Sequence, residues 1–357
     1  MTLFKKGHYF AHAQIWLIFQ YSFHHLTRNL PMKKKTHQLL LLLVIIALST
    51  PAISSNAHDW NWPYKRSNIE IINNISTLQF YGPYPGFHHG LDILSDGEEK
   101  VYAPASGKVG TRYYYKRKTP YTYEVYIDLV DGYRIELHHI DLNTIPKEIE
   151  ALAKVNGHIE KGTYLGTIYD STKMGIPMHL HTNLVSPDGI YTNPLRRYPK
   201  IVDNTPPIIN EVFIATPNEK GYLKIKANEL SQYSEKENII AVNAYEVIAN
   251  SEQRLGIYKL QAYSMKNGSK KLLKTILFDE LPEKRFTKGT DMYLTKPVEI
   301  DGKLKEPGKM NKTTQREFIY KIPLSKDISK SPEKYILQID AIDFNGNLSS
   351  KTIALDL

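Results

Sequence analysis

Alternation of apolar and polar positions governs the chain from residue 76 onward, and it predicts strands far more often than helices. Val125 to Ile140 reads VYIDLV-DG-YRIELHHI. Two alternating runs flanking Asp131-Gly132 predict a β-hairpin with a two-residue turn, both turn residues taking positive φ. GHIEKGTYLGTIY (157–169) and MHLHTNLV (178–185) predict further strands. The period lengthens to that of a helix at 144–154, TIPKEIEALAK. There Thr144 is the expected cap and Pro146 falls in the first turn. Upstream, IEIINNI (69–75) reads as an edge strand.

The texture breaks at Asp203-Asn204-Thr205-Pro206-Pro207, a linker-like stretch. Beyond it there is no His, and strand-like runs recur: IINEVFIA, YLKIKA, IIAVNAYEVI, GIYKLQAYSM, EFIYKIPL, YILQIDAID and SSKTIALDL. Seven short runs separated by turn residues predict a β-sandwich, immunoglobulin-like or fibronectin-like. Asp343 to Asn347 reads as a tight turn, and the Lys-rich stretch 302–315 as a solvated loop. The expected organisation is a leader over 1–57, an aromatic approach segment over 58–75, a first β-domain over 76–202 and a C-terminal β-sandwich over 203–357. A fragment covering 58–200 is expected to fold alone, with the boundary near 201–207.

Composition changes this picture in three ways. Apolar residues make up 41% of the 357, enough for packed cores. Cys is absent, so soft-metal chemistry has only His and carboxylates to draw on. The net charge of +9 invites a nucleic-acid reading, but the first 57 residues hold six Lys or Arg and no Asp or Glu, leaving +3 for the rest. The basic signature belongs to the leader, so no nucleic-acid partner is expected. Met32, Lys33, Lys34 and Lys35, the apolar run Leu39 to Leu48 and Ser55-Asn56-Ala57 form the three regions of an export signal. The apolar run is too short to cross a bilayer. The expected location is therefore outside the inner membrane, periplasmic or extracellular, with no stable membrane insertion after cleavage. Residues 1–31 fit no part of such a signal, and Met32 is the expected start.

Eight His follow the leader, six of them in three pairs: His88-His89, His138-His139 and His179-Leu180-His181. His88 precedes Asp92 by four residues. On a strand, His179 and His181 share a face, so one can be a ligand and the other stand beside it. Two imidazoles and a carboxylate make a three-ligand set with a fourth position open to water, as in catalytic zinc sites. The same donors also admit iron or manganese. Adjacent strand residues face opposite ways, so only one of His138 and His139 is expected to share the site. His158 is expected on the surface, and His58 beside the cleavage point.

These pairs lie within five blocks. HHGLDI resembles an HxGxD motif, and VYAPASGKVG the strand-turn-strand that follows it. LHHID resembles a segment ending in x-His-Leu, which places His139 rather than His138 at the motif position. VNGHIEKGTYLGTI resembles a Gly-rich hairpin. MHLHTNLV with Asn193-Pro194-Leu195 resembles an HLHFEL-like strand and its exit. In this order, over about 120 residues, the blocks resemble the lysostaphin-type, or LytM-like, zinc metallopeptidases.

The resemblance implies a mainly β duplicated hybrid motif, a LytM-like β-barrel with a groove. It implies one Zn2+ on His88, Asp92 and His181, with His139 and His179 as the proton-handling pair. It implies hydrolysis of peptide bonds in peptidoglycan stem peptides or cross-bridges. Relatives use a Tyr on the oxyanion, for which Tyr81 and Tyr84 are the candidates. The alternative reading is a non-catalytic LytM-like wall-binding protein that activates another hydrolase. An envelope protein partner is expected through the C-terminal domain.

Overall fold

The computed structural model describes residues 60–75, 77–81, 84–97, 99–116, 118–233, 236–248, 253–266, 268–281, 292–308, 316–324 and 335–355. The leader, His58 and most of the Lys-rich stretch after 308 lie outside them. From Ala57 onward the chain is one compact unit, and it is mainly β. No helix among the described residues is long and apolar enough to cross a membrane.

The first half is built on an eight-stranded antiparallel sheet. Its strands run in the order Ile71–Asn73, Leu91–Leu94, His179–Val185, Arg134–His138, Tyr123–Asp128, Gly107–Tyr113 and His158–Ile159, with Tyr191–Thr192 paired to the far end of His179–Val185. The inward positions are Ile71, Leu91, Ile93, Val109, Val125, Ile127, Ile135, Leu137, Leu180 and Leu184, all essentially sealed from solvent. Tyr164–Thr167 pairs with Lys100–Tyr102 in a small second sheet. Ile71–Asn73 does form the sheet's edge.

Two local expectations are corrected. The hairpin turn has three residues, not two: Gly132 N donates to Leu129 O, Leu129 N donates to Tyr133 O, and only Gly132 takes positive φ, at 84°. That is a turn closed by a left-handed glycine, a geometry that keeps Asp131 out of the strained region. The helix is shorter than its pattern, Lys147–Lys154, with Pro146 at its cap. Thr144 ends a preceding turn, Leu142–Thr144, and spends its hydroxyl on Asp141 O at 2.8 Å.

The aromatic approach segment packs into the core. Trp60 and Tyr64 are buried, and Trp62 stacks on Tyr198 with ring centroids 4.6 Å apart.

The second half contains a six-stranded sheet, ordered Lys303–Lys305, Val298–Ile300, Gly221–Ile225, Ile208–Asn218, Ile239–Tyr245 and Ile319–Pro323. A four-stranded sheet follows the order Ser269–Leu277, Lys259–Lys266, Tyr335–Ile342 and Leu348–Leu355. Ile214, Ile240 and Val242 from the first meet Leu260, Ala262, Leu337 and Ile339 from the second in one apolar cluster. The Lys-rich stretch begins as a strand, Lys303–Lys305, paired to Val298–Ile300.

The two halves share their cores. The hairpin formed by Leu78–Tyr81 and Tyr84–Phe87 sends Leu78 and Phe87 into the sandwich cluster, together with Ile75 and Tyr191. Phe87 lies against Phe278 and Tyr293, centroids 5.4 and 5.8 Å away. In return Ile248 and Leu255 join the core of the first half.

Candidate metal centre

Three adjacent strands bring the histidines together. Asp92 on Leu91–Leu94 and His138 on Arg134–His138 both stand opposite His181, on either side of its strand. His88 enters from the loop after Phe87, which is anchored in the sandwich. The turn into Leu91–Leu94 needs Gly90, since a Cβ there would lie 2.1 Å from Thr182 O and 2.5 Å from Asn183 Oδ1.

His88 Nε2, His181 Nδ1 and Asp92 Oδ1 converge. The separations are 2.9 Å between the two nitrogens, 3.0 Å from His88 to Asp92 and 2.8 Å from His181 to Asp92. Their neighbours fix the tautomers. His88 Nδ1 faces only carbonyls, Gly90 O at 3.0 Å and Asn74 O at 3.2 Å, so it carries the proton. Asn183 Nδ2 donates to Glu136 Oε2 at 3.0 Å, which turns Asn183 Oδ1 toward His181 Nε2 at 2.8 Å, so that nitrogen carries the proton. Two imidazole lone pairs and a carboxylate oxygen thus point at one another. Only a cation satisfies all three at once.

The donor set suits zinc: N, N and O, each imidazole held by a hydrogen bond from its far nitrogen. A tetrahedral zinc with bonds of about 2.0–2.1 Å spaces its donors by about 3.3 Å, so the triangle has to open by only a few tenths of an ångström. Electrostatics agree. Burial opposes ionisation of Asp92, but the surrounding imidazoles of His88, His179 and His181 outweigh it and hold its carboxyl well below the usual range. Burial first brings His181 down to about 4, keeping the ring neutral.

Behind Asp92 stands a support from the other half of the chain. Asn73 Nδ2 donates to Asp92 Oδ2 at 2.7 Å, and the buried Arg316 guanidinium donates to Asn73 Oδ1. No sequence signal pointed to Arg316, because the contact joins residues 243 positions apart.

His139 and His179 flank the triangle with rings 4.9 Å apart. His139 Nδ1 donates to Tyr121 O at 2.8 Å, and His179 Nδ1 to Pro177 O at 2.7 Å, which frees each Nε2 as an acceptor. His179 Nε2 lies 3.7 Å from Asp92 Oδ1. Burial, then the charges of the other histidines, hold His139 well below the ordinary imidazole value.

Here a sequence expectation fails. His138 does not face away. Regular pairing sets it across from His181, with rings 4.8 Å apart, while His139 leaves the strand geometry with φ of 67° and swings toward the same site. A positive φ at a non-glycine residue is strained and concentrates at functional sites. His138 Nε2 meets Glu124 Oε2 at 2.8 Å and Glu136 Oε2 at 3.6 Å, and Arg112 bridges both carboxylates. Burial lowers the affinity of His138 for its second proton, but the two carboxylates outweigh this and raise it to about 9. His138 is therefore an imidazolium, a charged support and not a metal ligand.

Tyrosines at the site come from the segment 113–126. Tyr121 stacks on His139, centroids 3.9 Å apart, and Tyr114 stacks on His138 at 4.2 Å. Tyr84, by contrast, is 72% exposed. The side chain of Tyr81 lies outside the described atoms. His158 is exposed, as expected, beside Glu160. His89 stacks on Tyr191.

No family model matches the chain, and no curated protein matches it. Several solved structures align with part of it. One is a chain of the SpoIIQ–SpoIIIAH pore-forming complex, at 17% identity over 41% of this chain and 94% of that one, TM-score 0.31. A second is Csd3 of Helicobacter pylori, at 19% identity over 40% of this chain and 36% of that one, TM-score 0.30. A third is a Pseudomonas aeruginosa protein described as a peptidase M23, at 20% identity over 47% of this chain and 62% of that one, TM-score 0.23. The likenesses are slight. The chain spans little more than a third of the Csd3 length.

Proposed function

We propose that this chain is an exported zinc metalloendopeptidase that hydrolyses peptide bonds in peptidoglycan stem peptides or cross-bridges. The observation that carries the reading is the convergence of His88 Nε2, His181 Nδ1 and Asp92 Oδ1, with each imidazole proton already committed elsewhere. Three protein ligands leave a coordination position for substrate or water. Bound there, zinc supplies Lewis acidity toward a carbonyl oxygen and toward water.

The chain's own residues supply the proton handling. His139 Nε2 is an acceptor on a neutral ring, held in place through Nδ1 by Tyr121 O. It can take a proton from the attacking water and return it to the leaving amine. His179 Nε2, oriented through Pro177 O, is the second donor or acceptor on the same side. Tyr121, packed flat on His139, limits the ring's motion and excludes water from one face.

The wall as substrate is supported by the export signal over 32–57 and by the motif order that resembles LytM-like enzymes. Incubation of purified peptidoglycan with the zinc-loaded chain, with and without chelator, tests it by mass spectrometry of the soluble products. New free amines at stem or bridge positions, abolished by chelator and restored by zinc, are expected. Intact peptide linkages in every sample would instead favour a non-catalytic wall-binding protein.

A further inference from the structure

A second group of ligating side chains lies apart from the histidines. Asp203 follows the end of the first half, Glu246 follows the strand Ile239–Tyr245, and Asp343 begins the turn between Tyr335–Ile342 and Leu348–Leu355. One carboxylate oxygen from each lies within 4.8 Å of the other two. Their relative exposures are 6%, 4% and 1%, so water does little to screen them. Among the described residues, no Lys, Arg or His forms an ion pair with any of the three.

The partners of these carboxylates differ. Asp343 accepts from Asn347, N to Oδ1 at 2.8 Å and Nδ2 to Oδ2 at 2.7 Å. Asp203 Oδ1 accepts from Thr205 N at 3.0 Å. Glu246 has no donor among the described residues: its backbone pairs with Leu255, and its buried carboxylate points into the group with nothing to meet it. An unpartnered buried carboxylate is costly in a protein interior. Aimed at two others, it marks a place for positive charge. A cavity lined by Asp203, Glu246, Asn345 and Lys200 adjoins the group.

We propose that Asp203, Glu246 and Asp343 bind a calcium ion that ties the inter-half segment to both sheets of the sandwich. The donors are all oxygen, with no nitrogen or sulfur, which selects a hard cation. Calcium accepts an irregular cage of carboxylates completed by carbonyls and water, whereas magnesium demands near-octahedral geometry and sheds its water reluctantly. Glu246 belongs to the six-stranded sheet's end, Asp343 to the four-stranded sheet's, and Asp203 to the segment leaving the first half. One ion there fastens three pieces of chain. The competing account is a shared proton: burial, then Asp343 and Asp203, push the Glu246 carboxyl well above its ordinary range.

Calcium titration into the full chain, already loaded with zinc and stripped of other metals, separates the two. We expect one calcium bound per chain by equilibrium dialysis. At calcium 100 times its Kd the melting temperature should rise by about 4 °C. Magnesium at the same concentration should give a smaller rise. Glu246→Gln should weaken calcium binding at least tenfold (~1.4 kcal/mol) with zinc content unchanged. Should that variant not fold, Asp343→Asn and the wild-type titration carry the test. The shared-proton account predicts no calcium bound and no shift at 10 mM (about tenfold above the weak limit for extracellular calcium modules), and either result overturns the proposal.

Discussion

Asn183 Oδ1 accepts a hydrogen bond of 2.8 Å from His181 Nε2, two residues earlier on the same strand, and so decides which nitrogen of His181 faces the metal position. The amide is held in that sense by Glu136, which is held in turn by Arg112. A chain of polar contacts therefore reaches along one face of the sheet from the partly exposed Arg112 to a proposed zinc ligand.

Asn183→Leu should fold and still bind zinc, but about 10–100-fold more weakly, the usual effect of removing a partner that orients a ligand. Competition against a chromophoric chelator measures it. Unchanged affinity would mean that His181 needs no such orientation.

His139→Ala and His179→Ala should retain zinc and lose peptidase activity by about 10²–10⁴-fold, the scale of a general acid–base group. Metal content and initial rates on the same preparations check both halves of this statement.

His138 calls for a different test, since it is charged and buried between Glu124 and Glu136. His138→Ala should leave two buried carboxylates sharing only Arg112, at a cost of about 3–5 kcal/mol. Chemical denaturation measures the loss. A change under about 1 kcal/mol would contradict the imidazolium assignment.

Much of this site was legible in the chain, and what was not has physical causes. His88, Asp92 and the His179–His181 pair could be placed together from a four-residue spacing and a strand period, while the choice of His181 as the ligand rested on the motif resemblance. His138 could not, because the expected alternation assumes a regular strand, and the positive φ of His139 ends it. Tyr114 and Tyr121 lie in a segment with no clear period. In the second half, the seven alternating runs all contain strands; six carry buried residues, and the last, Leu348–Leu355, packs the half-buried Ile353 against the sandwich core. Ser269–Leu277 was missed: Ile276 is its one fully buried residue, and Lys270 and Lys271 are exposed along an edge. The sharing of cores between halves depends on contacts as distant as Phe87 with Phe278, which no local pattern encodes.

That sharing revises the expectation that 58–200 folds alone, since such a fragment would expose Ile75, Leu78, Phe87 and Tyr191. We expect residues 58–357 to unfold in one transition. Phe87→Ala should lower its stability by about 3–5 kcal/mol and loosen the adjacent His88. Calorimetry resolving two independent transitions in the intact protein would contradict the shared core.

The central claim concerns what His88, Asp92 and His181 hold, and counting metal tests it most directly. Elemental analysis of the purified chain should find one zinc per molecule. Asp92→Ala and His181→Ala, if folded by circular dichroism, should hold little or none under the same conditions, while His139→Ala holds a full equivalent. Full zinc occupancy in both ligand variants, or none in the wild type after zinc loading, would contradict the account.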